Sequence, residues 1–149
     1  MAAFGNELSR LVDELNRSRS ATISGGSSSI DRLLALAAQR GASDIVLVAG
    51  SAIALRVKGS LTPAAGKPLS SEEIRSLLLP LLTARQAEEL EGNRSLDFCF
   101  ARGQVGRFRA NFHYQRGTLA ASIRLLPAQT PSLESLHLPA ALAQLAERR

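Results

Sequence analysis

The stretch from Val105 to Pro127, VGRFRANFHYQRGTLAASIRLLP, constrains the fold more than any other part of the chain. Phe108, Ala110, Phe112 and Tyr114 alternate with Arg107, Arg109, Asn111 and His113, the period-two pattern of a strand with one buried face. After an Arg116-Gly117 turn the return strand repeats the pattern, with Leu119, Ala121, Ile123 and Leu125 on the apolar side. The two apolar faces must coincide, because a slip of one residue would turn every side chain over. A loop of Arg116-Gly117, or of Gln115 to Thr118, gives the same register, with Ser122 opposite Asn111 and Arg124 opposite Arg109. Two arginines facing each other across a ladder repel by roughly 0.2–1 kcal/mol, and a bound anion reverses that sign.

The charge of the chain is concentrated here. Residues 92–127 hold six arginines (Arg94, Arg102, Arg107, Arg109, Arg116 and Arg124) against Asp97 alone, whereas the rest of the sequence is balanced. The formal net charge of +5 is therefore local, and a cluster of arginine on an ordered face points to an anionic partner. The preceding strand, Ser95 to Phe100, supplies the one acid. If Phe100 pairs with Gln104, Leu96 faces Phe108 and Asp97 faces Arg107. Arg107 then has a structural carboxylate partner, and Arg109 and Arg124 have none. The plain alternative is a solvated strand face with the arginine stems spread apart.

Composition narrows the class. Hydrophobic residues make up 45% of the chain and aromatics 4%, which predicts a core of Leu, Ile, Val and Ala. Cys99 is the single cysteine; it excludes an internal disulfide and a Cys-cluster zinc site, fits a reducing cytoplasm, and reads as a small core residue. No apolar run approaches the roughly 20 residues of a membrane span, and no signal peptide is evident. There is no G-x-x-x-x-G-K-[ST] phosphate loop and no nucleophile-elbow motif, and Gly66-Lys67 reads as a turn. His113 and His137 lack metal-ligand spacing, so no metal site is expected. Asp44 reads as a cap or turn residue without a catalytic role.

Residues 1–23 read as an amphipathic arm, with Phe4, Leu8, Leu11, Val12 and Leu15 at helical spacing, and residues 24–29 as a Ser/Gly linker. A compact domain is expected over 30–130, and 131–149 as a linker and helix. Within the domain, Ile30, Leu33, Leu34 and Ala37 give a helix face stopped by Gly41. Strands are expected at Ser43–Val48 and Ile53–Val57, with a short one at Leu61-Thr62. Ser70 and Glu73 form a capping box for a helix that reaches Pro80, and a second helix runs from Thr83 or Ala84 to about Gly92. This order predicts an α+β fold with a mostly antiparallel sheet and helices mainly on one side.

Five segments in order resemble the N-terminal domain of the type II and type IV secretion and pilus motor ATPases, especially the pilus-retraction enzymes. They are Gly41-Ala-Ser-Asp-Ile45, Leu55-Arg-Val-Lys-Gly59, Ser95-Leu-Asp-Phe98, Gly106-Arg-Phe-Arg-Ala-Asn111 and Ile123-Arg-Leu-Leu-Pro127. The resemblance implies a PAS-like domain that precedes a RecA-like ATPase domain, the chain being expected to stop short of the latter, and a homo-hexameric ring. It implies that Arg109 and Arg124 contact nucleotide phosphates held by that ATPase domain, with Arg107 and Arg116 secondary and Arg116 near a neighbouring subunit. ATP and magnesium belong to the parent protein, and this chain alone is expected to hold neither cofactor nor catalytic residue. The implied partners are the ATPase domain, neighbouring subunits and the pilus or secretion machinery, at a cytoplasmic location peripheral to an inner-membrane machine. Val46 stands where the family commonly has histidine. Rival readings are a basic-hairpin nucleic-acid-binding module and a PAS-like interaction or sensor domain. Nucleic acid is the less favoured partner, because the aromatics share the face opposite the arginines.

Overall fold

The computed structural model describes residues 29–146 apart from 65, 104, 128, 130 and 140. The expected arm, and the linker up to residue 28, lie outside the described residues; Ser29 already begins helix α1 (Ser29–Gln39). Ile30, Leu33, Leu34, Leu36 and Ala37 bury one face of α1, and Gly41 closes it at φ 63°. Three strands follow the helix, β1 (Ala42–Leu47), β2 (Ala54–Val57) and β3 (Ser60–Pro63). Helix α2 (Ser71–Leu78) starts from the expected capping box, in which Glu73 N donates to Ser70 Oγ at 3.2 Å and Ser70 N donates to Glu73 Oε2 at 2.7 Å. Pro80 lies in a short 3-10 turn, Leu79–Leu81, where the α-helix has ended. A second capping box, Thr83 with Gln86, opens α3 (Ala84–Asn93).

The remaining strands are β4 (Ser95–Arg102), β5 (Gly106–Gln115) and β6 (Thr118–Leu126), and a short helix α4 (Ala141–Ala146) comes last. Leu138, Leu142 and Leu145, in and beside that helix, are exposed. The six strands form one sheet in the order β3-β2-β1-β6-β5-β4, with every neighbouring pair antiparallel. The fold is α+β. One face of the sheet presents Ile45, Leu47, Leu55, Phe98, Phe108, Ala110, Phe112, Ala121 and Ile123 to the same core as the buried residues of α1, α2 and α3. Phe98 meets Phe112 edge-on at 5.0 Å, and Phe100 stacks on Phe108 at 5.1 Å. The core is otherwise aliphatic, as the composition predicts.

The β5–β6 register is the one the pattern dictates, with Arg109 opposite Arg124 and Asn111 opposite Ser122. Of the two loops compatible with it, the structure has the two-residue one: Arg116 (φ 52°) and Gly117 (φ 79°) both take positive φ, as a type I′ turn requires. Arginine is unfavoured there and asparagine is preferred. Arg116→Asn is therefore expected to raise stability by up to about 1 kcal/mol, read as a higher urea midpoint with an unchanged slope.

The β4–β5 register differs from the expected one by four residues. Asp97 lies opposite Asn111, Cys99 opposite Arg109, and Ala101 opposite Arg107. This register sets three apolar pairs against each other, Leu96 with Phe112, Phe98 with Ala110 and Phe100 with Phe108. The expected register would have matched only Leu96 with Phe108, leaving Phe98 and Phe100 against Gly106 and Gln104. Gly103 (φ 38°) and Gly106 (φ 134°) supply the left-handed backbone of the turn. Arg107 consequently loses its expected carboxylate, and Cys99, expected in the core, is exposed on the opposite face.

Tyr114 ties the helices to the sheet. Its hydroxyl donates to Glu91 Oε1 at 2.5 Å and accepts from Arg75 Nη1 at 2.8 Å, and the Arg94 guanidinium lies 3.5 Å from the ring centre. The Tyr114 hydrogen bond, with Arg75 and Arg94 nearby, lowers the pKa of Glu91. Asp31 on α1 accepts from Arg102 Nε at 2.9 Å at the other end of β4.

Candidate anion-binding site

The face of the sheet away from the core carries a transverse row of charge. Reading across the ladder, Arg56 on β2 lies opposite Asp44 on β1, Asp44 opposite Arg124 on β6, and Arg124 opposite Arg109 on β5. Asp44 reaches this face because β1 carries a bulge between Ala42 and Asp44. Ala42 points into the core, the extra residue Ser43 absorbs the change of side, and Asp44 turns away from the core.

Among the described residues Asp44 is the one buried charged group, 6% exposed. Its carboxylate is fully engaged. Arg124 Nε donates to Oδ1 at 2.8 Å, Ser43 Oγ donates to Oδ2 at 2.9 Å, and Arg56 Nε stands 3.3 Å from Oδ2. Burial by itself would raise the Asp44 pKa; the Arg124 and Ser43 hydrogen bonds and the charges of Arg124 and Arg56 outweigh it and hold the carboxyl below its ordinary value. The sign of the linkage follows. As pH falls, the unfolded chain protonates first, so the stability contributed by Asp44 is complete above the ordinary carboxylate range and is lost as pH falls through the lower native pKa. Asp44→Asn is expected to lower stability near neutral pH and to flatten this part of the acid limb, read from urea-derived stability measured between neutral pH and acid.

Arg109 and Arg124 have side chains 65% and 66% exposed. The nearest acid to Arg109 is the exposed Asp97, 3.6 Å from its Nε, and Asp97 also accepts from Asn111 Nδ2 at 3.1 Å. Asn111 Oδ1 in turn meets His113 Nδ1 at 2.9 Å. Neither arginine uses an Nη nitrogen in a hydrogen bond among the described residues. Ser122 Oγ, beside them, is likewise unbonded among the described residues. Asp44, Asp97, Arg109, Asn111, Ser122 and Arg124 line a shallow depression of about 160 Å³. This donor set suits phosphate or carboxylate oxygens. It does not suit a divalent cation, because both oxygens of Asp44 are occupied by cations and a hydroxyl.

The structure thus brings Arg109 and Arg124 together, as the hairpin pattern requires, but each has an acid at Nε where none was expected. Arg107 is exposed, its side chain makes no hydrogen bond or ion pair among the described residues, and it does not line the depression. Arg116 sits at the hairpin tip, in a separate cleft of about 600 Å³ with Ser51, Ser71 and Gln115. Asp44 is the residue the sequence reading passed over. Its signal was a lone carboxylate inside a strand of otherwise apolar and small residues, which requires a cationic partner if the strand is buried.

No protein-family model matches the chain. Individual relatives do. The type IV pilus ATPase PilU of Pseudomonas aeruginosa is 32% identical over 116 residues, which cover 78% of this chain and 30% of PilU. The crystal structure of the pilus retraction motor PilT with bound ADP superposes with a TM-score of 0.69 at 35% identity, covering 78% of this chain and 34% of PilT. This chain is a homologue of the N-terminal domain of the type IV pilus and secretion ATPases. The Legionella pneumophila ATPase DotB matches with a TM-score of 0.57 at 25% identity, over 77% of this chain and 33% of DotB. The N-terminal-domain homologue therefore spans about a third of the length of the proteins it matches. Among its described residues, no helix is long and apolar enough to cross a membrane.

Proposed function

We propose that this chain is the N-terminal regulatory and oligomerisation domain of a hexameric type IV pilus or type II secretion motor ATPase, and that Arg109 and Arg124 contact the phosphates of nucleotide bound by a RecA-like ATPase domain. The observation that carries the reading is the pair of exposed arginines side by side on β5 and β6, Arg124 hydrogen-bonded at Nε to Asp44 and Arg109 3.6 Å from Asp97, with no Nη hydrogen bond among the described residues. The homology to PilU, PilT and DotB supports the motor assignment.

The residues act electrostatically. Arg109 and Arg124 meet phosphate oxygens through their Nη groups, and Ser122 Oγ donates a hydrogen bond beside them. The nucleotide supplies the phosphoanhydride bond that is hydrolysed, and magnesium bound with it in the ATPase domain would balance part of its charge. The arginines are preorganised on neighbouring strands, so closing the sheet face over the nucleotide brings both to bear without loop rearrangement. Opening and closing of the domains then converts nucleotide state into movement of the pilus or secretion machinery. The ring works at the cytoplasmic side of the inner membrane, and Arg116 at the hairpin tip is available to a neighbouring subunit. ATPase turnover of the protein carrying both domains, with Arg109 or Arg124 replaced by alanine, tests the reading; unchanged turnover in both variants rejects it.

A further inference from the structure

A guanidinium at the end of a flexible stem loses rotamer freedom when it binds, and this loss weakens binding unless the side chain is already ordered. Arg124 is 66% exposed, yet its Nε is fixed at 2.8 Å by a carboxylate that is itself buried and held by Ser43. A bond at Nε leaves the Nη1–Nη2 edge of the planar group free and sets the direction it faces. The arrangement carries a difficulty of its own: a carboxylate beside an anion site repels the anion. Arg56 answers it. One carboxylate lies between two guanidinium groups, with Arg56 Nε 3.3 Å from Oδ2 and Arg56 Nη1 donating to Gly59 O at 3.0 Å, so the group keeps one positive charge in excess.

We propose that Asp44 is a positioning residue of the anion site, which orders Arg124 for phosphate from the β1 side while Arg56 offsets its charge. The inference rests on the phosphate reading of Arg109 and Arg124 and extends it to residues on two further strands. It makes an expectation opposite in sign to simple electrostatics. Asp44→Asn removes a negative charge next to the site, so a charge effect alone would tighten anion binding. Loss of positioning weakens it.

The experiment uses the 149-residue chain and inorganic tripolyphosphate at low ionic strength, followed by calorimetry, together with the Arg124 Nε–H resonance in a nitrogen-15 spectrum. In the unchanged chain the Arg124 Nε–H signal is resolved and slow to exchange with water, and tripolyphosphate binds with an affinity that falls when Arg109 is replaced by alanine. In Asp44→Asn the resonance averages and affinity drops about tenfold, the scale of leaving one rotamer-rich side chain unordered. Ser43→Ala, which leaves every charge in place and removes one donor from Asp44, moves affinity in the same direction by about threefold; it decides the matter if Asp44→Asn does not fold. Equal or tighter binding by Asp44→Asn or Ser43→Ala, with tripolyphosphate still bound in an Arg109-dependent way, overturns the positioning role and leaves the phosphate reading standing. A resolved, Asp44-dependent Arg124 signal with no tripolyphosphate binding overturns the phosphate reading, and the proposal falls with it.

Discussion

Replacing Arg109 by alanine in a protein that joins this domain to a RecA-like ATPase domain is expected, on the proposed phosphate contact, to lower turnover about a hundredfold, the usual cost of removing one preorganised donor from a developing phosphate charge. Arg124→Ala is expected to do the same, and the double variant to lose little more than either single one, if the two arginines serve one ligand as proposed. Arg109→Ala is the cleaner of the two. The residue's nearest acid is the exposed Asp97, so its removal leaves no buried charge behind. Removing Arg124 leaves Asp44 buried with Arg56 and Ser43, and a small loss of stability accompanies the loss of turnover. A thermal midpoint measured on each variant separates the two effects: a fold intact to within a few degrees with turnover down by two orders of magnitude supports phosphate contact.

The largest effect on stability is expected from the other face of the same strand. Phe112 is fully buried, lies opposite Leu96 on β4 and Ala121 on β6, and takes the ring of Phe98 edge-on at 5.0 Å. Phe112→Ala removes the centre of that cluster and is expected to cost about 3–5 kcal/mol, a large part of the stability of a domain of this size. Urea unfolding would show it as a midpoint shift. A loss below about 1 kcal/mol would mean that the cavity collapses, against the close packing of three strands and the helices behind them.

The two faces were not equally legible in the amino-acid sequence. The β5–β6 register followed from residues alone, because nine consecutive pairs had to agree on which side is apolar and the connecting loop is only two residues long. The capping box at Ser70 was legible for the same reason: its partners are three residues apart and its chemistry is local. The β4–β5 register was less constrained. Both candidate registers keep the polar and apolar faces apart, and the number of matched apolar pairs, three against one, separates them only once every pair is counted. Cys99 followed that strand outward, its two phenylalanine neighbours concealing that it alternates with them. Asp44 was out of reach of local pattern altogether. Its partner Arg124 is 80 residues away, and the bulge at Ser43 that turns it to the polar side is a matter of one residue's register. The candidate anion site was therefore half visible: its cations could be read along one hairpin, whereas the acid beside them depends on which strands become neighbours.

That neighbour relation has a consequence for how the domain assembles. The sheet consists of two three-stranded meanders, β1 to β3 and β4 to β6, each built from pairings close in sequence and joined along a single seam where β1 meets β6. Short-range meanders form readily, whereas closing the seam must overcome the entropy of the whole intervening chain. Asp44 and Arg124 sit on either side of that seam. The β4 to β6 meander carries Arg109 and Arg124 and the β1 to β3 meander carries Asp44, so the Asp44–Arg124 ion pair forms only when the seam is closed. With Arg124 Nε bonded to Asp44 Oδ1 at 2.8 Å across it, the seam carries a charged clasp between the two halves of the sheet.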